Sequence, residues 1–135
     1  MKKLLTVILI LALAIPALTM AEYPLSSNEQ NYVGSWTMCA SGSRGTQYVF
    51  IITFLDNLEV VQRSMTFTNG KLTSDNKATG EWSGFTSESI IFSLAGTSMA
   101  AMIKDDGYLY MYFYDGLSLC GIYSRCEDMT KKLGW

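Results

Sequence analysis

Eight short runs of β-favouring residues follow one another between residues 32 and 126, and a turn signal separates each run from the next. Valine, isoleucine, threonine and aromatic residues dominate the runs, as they do in half-buried strands. Glycine, asparagine and aspartate fill the intervals, where they tolerate the positive φ angles of tight turns. In the longest interval Asn69-Gly70 and Ser74-Asp75-Asn76 are both predicted to be turns. The runs are 32–40, 47–55, 58–67, 77–84, 88–94, 97–104, 107–114 and 118–126.

Consecutive strands joined by short turns predict an all-β fold. Open sheet edges invite pairing with other chains, and closing the sheet removes them. We therefore expect eight antiparallel strands in an up-and-down meander that closes into a small barrel over residues 32–126. A filled interior is expected, because the inward positions carry many large side chains. These positions are Trp36, Met38, Phe50, Ile52, Phe54, Trp82, Ile90, Phe92, Leu109, Met111 and Phe113.

Residues 1–21 have the three parts of a secretory signal peptide. A positive start precedes an apolar run of 12 residues, and small residues follow a proline. Because a spanning helix needs ~20 apolar residues, we expect cleavage after Ala21 and no membrane span in the remaining chain. The protein is then secreted or periplasmic. Residues 22–31 are predicted to be an extended N-terminal arm, and residues 127–135 a C-terminal tail.

Composition and charge exclude several classes of function. The sequence contains no histidine, which removes Ser-His-Asp and Cys-His catalysis and imidazole metal sites. Cleavage removes two of the 10 basic side chains and leaves 8 against 12 acidic ones, a formal net charge of −4. Nucleic-acid binding is therefore not expected. No phosphate-binding glycine loop or zinc-spaced cysteine set is present, so we expect neither an enzyme nor a cofactor or metal site.

Two Gly-x-Trp motifs mark the first and the fourth run. Gly34 precedes Trp36 by two residues, and Gly80 precedes Trp82 in the same way. Residues two apart lie on one face of a strand, so each glycine leaves room for an indole or a crossing backbone. All four residues are therefore predicted to be structural. The two tryptophans are also candidate contacts for a ligand inside the barrel.

The order of the segments resembles the small lipocalin-like (calycin-type) domains of secreted bacterial proteins. The resemblance covers residues 32–126 and rests on YVGSWTM, GEWSG, ESIIFSL, KDDGYLYMYF and a last run that ends at Arg125. In lipocalins a first-strand tryptophan closes the base of the barrel beneath a cationic side chain of the last strand. The resemblance implies that Arg125 lies over Trp36. It also implies a binding module for a small apolar ligand or for a protein or glycan partner.

Three cysteines remain after cleavage and enter an oxidising compartment. If Cys39 lies opposite Cys120 on the first and last strands, all three cysteines share the outer face of the barrel. Cys120 and Cys126 cannot bridge within one strand, because six residues span ~20 Å. We predict a Cys39–Cys120 disulfide with Cys126 as a free thiol, and Cys39–Cys126 is the alternative. An intermolecular bond through Cys126 would give a dimer in place of a monomer.

The seventh run carries four tyrosines at a period of two, with aliphatic and aromatic residues between them. If the intervening residues face inward, the four phenols form an exposed ladder. Tyrosine offers a rigid amphipathic contact surface, so the ladder is a candidate site for a protein, glycan or peptide. Cross-strand aromatic pairing that only stabilises the sheet is the alternative. The four residues are Tyr108, Tyr110, Tyr112 and Tyr114.

Two further functions fit the pattern. Small periplasmic inhibitors of bacterial metalloproteases are also eight-stranded barrels, with a Gly-x-Trp opening and an N-terminal arm that enters the protease cleft. Residues 22–31 before Gly34 are similar in layout. Alternatively, the barrel is a scaffold in an envelope or assembly protein.

Overall fold

The structure, a computed structural model, describes residues 25–125. The predicted signal peptide, the start of the arm, Cys126 and the predicted C-terminal tail lie outside the described residues. One helical turn, α1 (Ser27–Gln30), precedes the strands. The strands are β1 (Gly34–Ser41), β2 (Thr46–Phe54), β3 (Glu59–Thr68), β4 (Lys71–Thr86), β5 (Ser89–Leu94), β6 (Thr97–Ile103), β7 (Leu109–Phe113) and β8 (Leu119–Arg125).

The eight strands form one closed antiparallel barrel in sequence order. Each strand pairs with its neighbours along the chain, and β8 returns to pair with β1 at Trp36–Arg125 and Thr37–Ser124. The predicted all-β meander that closes into a barrel is therefore confirmed.

The fourth strand is longer than the sequence predicts. Ser74, Asp75 and Asn76 lie within β4 and do not form a turn. The Asn69-Gly70 turn is sufficient to reverse the chain, because both residues take positive φ angles of 53° and 81°. Beyond this turn β3 and β4 stay paired, and the guanidinium of Arg63 donates to both carboxylate oxygens of Asp75 at 2.9 and 2.7 Å.

The inner face of the barrel changes from apolar to polar along the axis. At the end where β1 begins, the closed end, Phe54 and Val60 are fully buried. Toward the other end, the mouth, Ser64 is half-buried and Asn76 is exposed. The cross-strand rows from the closed end to the mouth are Gly34–Phe54–Val60–Gly80, Trp36–Ile52–Gln62–Ala78 and Met38–Phe50–Ser64–Asn76.

Most of the side chains predicted inside the barrel are buried. Phe54 packs edge-on against Trp82 and Phe92, with ring centroids 5.4 Å apart in both pairs. Phe113 is 41% exposed although it faces inward, because β7 ends there at the mouth. Met38 and Phe50 are half-buried for the same reason. The buried members are Trp36, Ile52, Phe54, Trp82, Ile90, Phe92, Leu109 and Met111.

Gly80 lies where β4 changes partners. β4 pairs with β3 as far as Glu81 and with β5 from Trp82 onward. A Cβ atom at Gly80 would overlap the carbonyl oxygen of Ser93, a backbone atom with no freedom to rotate away. The glycine of this Gly-x-Trp motif therefore admits a crossing backbone, as the sequence predicts.

We expect Gly80→Ala to lower the free energy of unfolding by roughly 2–3 kcal/mol, since the backbone must shift to relieve the overlap. Gly96→Ala is the control, because an added Cβ at Gly96 would meet nothing within 4 Å, and its positive φ of 82°, which Gly80 does not share, is the only source of strain there. Its cost is limited to about 1–2 kcal/mol of backbone strain. Urea unfolding followed by tryptophan fluorescence measures both variants, and equal losses would contradict the role of the close approach.

Candidate functional site

The two tryptophans named as candidate ligand contacts are core residues. Trp36 and Trp82 are 1% and 2% exposed. Each indole N–H donates to a backbone carbonyl, that of Tyr32 at 3.1 Å for Trp36 and that of Leu55 at 2.9 Å for Trp82. With the rings buried and the N–H groups bonded, both tryptophans are part of the core, and contact of either ring with a ligand stays a prediction.

The guanidinium of Arg125 closes one end of the barrel. Its Cζ lies 3.9 Å from the centroid of the Trp36 ring, which confirms the predicted contact. The same group donates to the carbonyl oxygens of Val33, at 3.0 Å, and Asn31. A Cβ at Gly34 would lie 2.9 Å from the guanidinium Nη1, and the φ angle of Gly34 is +121°. The backbone conformation thus requires glycine there, and a Cβ would also displace the guanidinium from its place.

The chain before β1 forms a helical turn that begins with a capping box. The Oγ of Ser26 accepts from the N–H of Glu29 at 3.1 Å, and the Glu29 carboxylate accepts from the N–H of Ser26 at 3.0 Å. The prediction of an extended arm is therefore wrong for residues 27–30. The S-x-x-E spacing is a helix-start signal that was available in the sequence.

This N-terminal cap (residues 25–33) is bound to strands across the barrel. The Glu29 carboxylate accepts from the N–H of Gly84 at 2.8 Å. The Tyr32 side chain is buried, and its hydroxyl donates to the carbonyl of Glu88 at 3.0 Å and accepts from the N–H of Ile103 at 3.1 Å. The cap is therefore an integral part of the closed end.

The strongest candidate for a binding surface lies on the outside of β5–β8. Along β7 the predicted alternation holds, because Leu109 and Met111 are buried while Tyr110 and Tyr112 are partly exposed. We call this surface the outer apolar face, which also includes one large side chain from the end of β4 and two from the turn between β7 and β8. Its members are Phe85, Ala100, Met102, Tyr110, Tyr112, Tyr114, Leu117, Leu119 and Ile122.

The tyrosines of the ladder have different environments. The hydroxyl of Tyr110 donates to the Asp106 carboxylate at 2.6 Å, and this bond raises the pKa of the phenol. The ammonium of Lys104 lies 4.3 Å from the Tyr110 ring centroid and 5.9 Å from that of Tyr112. Tyr108 is 47% exposed at the edge of the ladder. Tyr110 is thus held by its own neighbours, and Tyr112 and Tyr108 remain available for contact.

A shallow groove of about 410 Å³ crosses the face beside Tyr112. Phe85 and Leu117 line it and are 52% and 63% exposed. Tyr114 meets Phe85 edge-on, with ring centroids 5.9 Å apart. Neither lining residue is predicted from the sequence, because Phe85 lies at a bulge in β4 and Leu117 lies in a turn with a φ angle of 52°. A large apolar residue inside a turn was the available signal.

The predicted Cys39–Cys120 disulfide is not present in the structure. Trp36 pairs with Arg125, two residues further along β8 than that disulfide requires. Cys120 also lies in a bulge between β7 and β8. Cys120 is exposed as a residue, but partial burial of its sulfur raises the pKa of the thiol. The predictions that involve Cys126, as a free thiol or as the partner of Cys39, concern a residue outside the described part of the chain.

Among residues 25–125, no group of three or more metal-binding side chains could hold a metal ion. In the same part of the chain, no helix is long and apolar enough to cross a membrane. Comparison with protein-family models, curated proteins and solved structures finds no significant match. The functional proposal is therefore built on the barrel and its outer apolar face.

We expect Arg125→Lys to lower the free energy of unfolding by roughly 1–2 kcal/mol, because an ammonium cannot stack on the indole and also reach both carbonyls. Arg63→Lys serves as the comparison. Its guanidinium lies 2.7 Å from Asp75 in an exposed ion pair, and such pairs contribute little to stability. Urea titrations of both variants test the expectation, which fails if Arg63→Lys is equally destabilising.

The hydrogen bonds of the Glu29 carboxylate in the N-terminal cap predict that the stability of the fold decreases in acid. Hydrogen bonds from the N–H groups of Ser26 and Gly84 lower the pKa of Glu29 from its ordinary 4.5. Such a group stabilises the fold above its unfolded pKa, and this contribution is lost as the pH falls through the lower folded pKa. We expect Glu29→Gln to lower the thermal midpoint at neutral pH and to flatten its decline in acid. Asp56→Asn, in the exposed turn between β2 and β3, should leave the curve unchanged. A Glu29→Gln curve parallel to that of the wild type would refute the assignment.

Proposed function

We propose that this chain is an exported, non-catalytic binding protein of the lipocalin-like class that holds a macromolecular partner on its outer apolar face. The observation that carries the proposal is the concentration of exposed large apolar side chains there. Single exposed hydrophobic residues are normal on protein surfaces, but contiguous groups mark interaction sites. Of the nine exposed large hydrophobic side chains among the described residues, five belong to this one face: Phe85, Tyr114, Leu117, Leu119 and Ile122.

A small apolar ligand inside the barrel has less support than a partner outside. The closed end is filled by buried aromatic side chains, including Trp36 and Phe54. At the mouth, half of the inner row of β1–β4 is polar, with Ser64 and Asn76 beside Phe50. An apolar ligand would lose the hydration of these polar groups without replacing their hydrogen bonds.

The N-terminal cap weighs against an inhibitor that acts through residues 22–31. An inhibitory arm must leave its own barrel to enter a protease cleft. In this chain Glu29 is bound to Gly84, and Tyr32 is buried with two hydrogen bonds to backbone groups. Releasing the segment would break these bonds and expose the closed end of the barrel. A scaffold role in an envelope assembly would use the same outer apolar face, with a fixed neighbour as the partner.

The proposal is tested by capture with the immobilised mature protein. We expect it to retain a specific component of the extracytoplasmic fraction of its producing cells. The triple variant Phe85→Ser/Leu117→Ser/Leu119→Ser should weaken this retention about tenfold or more, since each lost contact of this kind contributes on the order of 1 kcal/mol.

The control is Leu72→Ser, which removes an equally large side chain that is 49% exposed on β4, outside the face. Near-ultraviolet circular dichroism checks that all variants keep the barrel. Retention that the triple variant leaves unchanged, or that Leu72→Ser abolishes as well, would refute the proposal.

A further inference from the structure

The groove on the outer apolar face has an apolar floor, and acidic residues flank its walls in the chain. Ala100, Met102 and Tyr112 supply the floor. The walls include Ser89, Lys104 and Leu117, each of which lies in or beside a turn. The exposed acidic residues one or two positions from these wall residues, which we call the margin of the groove, are Glu88, Asp105, Asp106 and Asp115.

The single cation in the groove lining does not balance these carboxylates. Lys104 is the one charged residue of the lining, and its ammonium is already placed over the Tyr110 ring at 4.3 Å. Asp106 accepts from the Tyr110 hydroxyl, and this bond lowers the pKa of the carboxyl, so it is ionised at neutral pH. The margin of the groove therefore carries an excess of negative charge around an apolar floor.

We infer that the partner is a cationic amphipathic peptide segment, in which lysine or arginine residues alternate with large apolar ones. The inference rests on the proposed function and names its partner class. Apolar side chains of the segment would displace water from the floor of the groove, while its cations face the carboxylates at the margin. Opposite charges also speed the encounter, because their attraction acts over a screening length of ~8–10 Å.

Charge also favours a cationic peptide over two other occupants of the groove, a second copy of the chain and a neutral glycan. A second copy of the chain would bring the same excess of carboxylates against the first, and like charges oppose such a contact. A neutral glycan would use the aromatic rings and leave the charged margin without a role. The volume of about 410 Å³ limits the apolar part of the segment to a few side chains.

The inference is tested with three short fluorescent peptides and anisotropy titration of the mature protein. One peptide alternates lysine with leucine, the second glutamate with leucine, and the third lysine with serine. We expect the lysine–leucine peptide to bind at least about tenfold more tightly than the other two. Its affinity should fall several-fold at high ionic strength, where the charges are screened.

Two sets of substitutions locate the binding. The triple variant Glu88→Gln/Asp105→Asn/Asp115→Asn removes margin charges without touching Asp106, and we expect it to weaken lysine–leucine binding about tenfold. The matched control neutralises three exposed carboxylates elsewhere on the barrel, Asp56→Asn/Glu59→Gln/Glu81→Gln, and should leave the affinity unchanged.

The other outcomes overturn the inference in distinguishable ways. If the glutamate–leucine peptide binds as tightly as the lysine–leucine peptide, the preference for a cationic partner is refuted. The apolar docking face, and hence the proposed function, would still stand. Equal loss of affinity in the two charge variants would show non-specific attraction. A dimer that Leu117→Ser dissociates in sedimentation would make a second copy the occupant. If no peptide binds, the inference fails, and the capture experiment decides the proposed function separately.

Discussion

The contact of Arg125 with Trp36 joins the first strand of the barrel to the last. Within the described residues β1 shares eight residue pairs with β2 but two with β8, so this seam has little backbone pairing of its own. The guanidinium adds a stacking contact and hydrogen bonds to the carbonyls of Val33 and Asn31. Gly34 leaves the space in which this group lies. This arrangement reinforces the seam at which the barrel closes.

The N-terminal cap completes the same end by satisfying polar groups that would otherwise lose their hydration. The hydroxyl of Tyr32 both donates and accepts, and Glu29 bonds to the backbone of β4. Among the described residues, no buried side-chain nitrogen or oxygen lacks a hydrogen-bond partner. The closed end is thus both packed and hydrogen-bonded, whereas the outer apolar face lies on the outside of the barrel, away from the two core tryptophans.

Some side chains of the outer apolar face come from a regular strand, and others come from a bulge and a turn. The period of two along β7 exposes Tyr110 and Tyr112, and hydrogen bonding to Asp106 and the contact with Lys104 orient the first of them. Phe85 and Leu117 come from a bulge and a turn, and they give the face its groove. Because backbone irregularities interrupt strand pairing, they place side chains where a regular sheet would not.

The sequence by itself determined the number and order of the strands, the ladder of tyrosines and the need for glycine beside both tryptophans. These features follow from local sterics, namely turn residues that accept positive φ and side chains that alternate across a strand. Only the tertiary structure decided the register of β1 with β8, which separates Cys39 from Cys120, and the approach of Phe85 to Tyr114. Register and bulges depend on contacts between residues distant in the chain, and a shift of two residues preserves every alternation that the sequence shows.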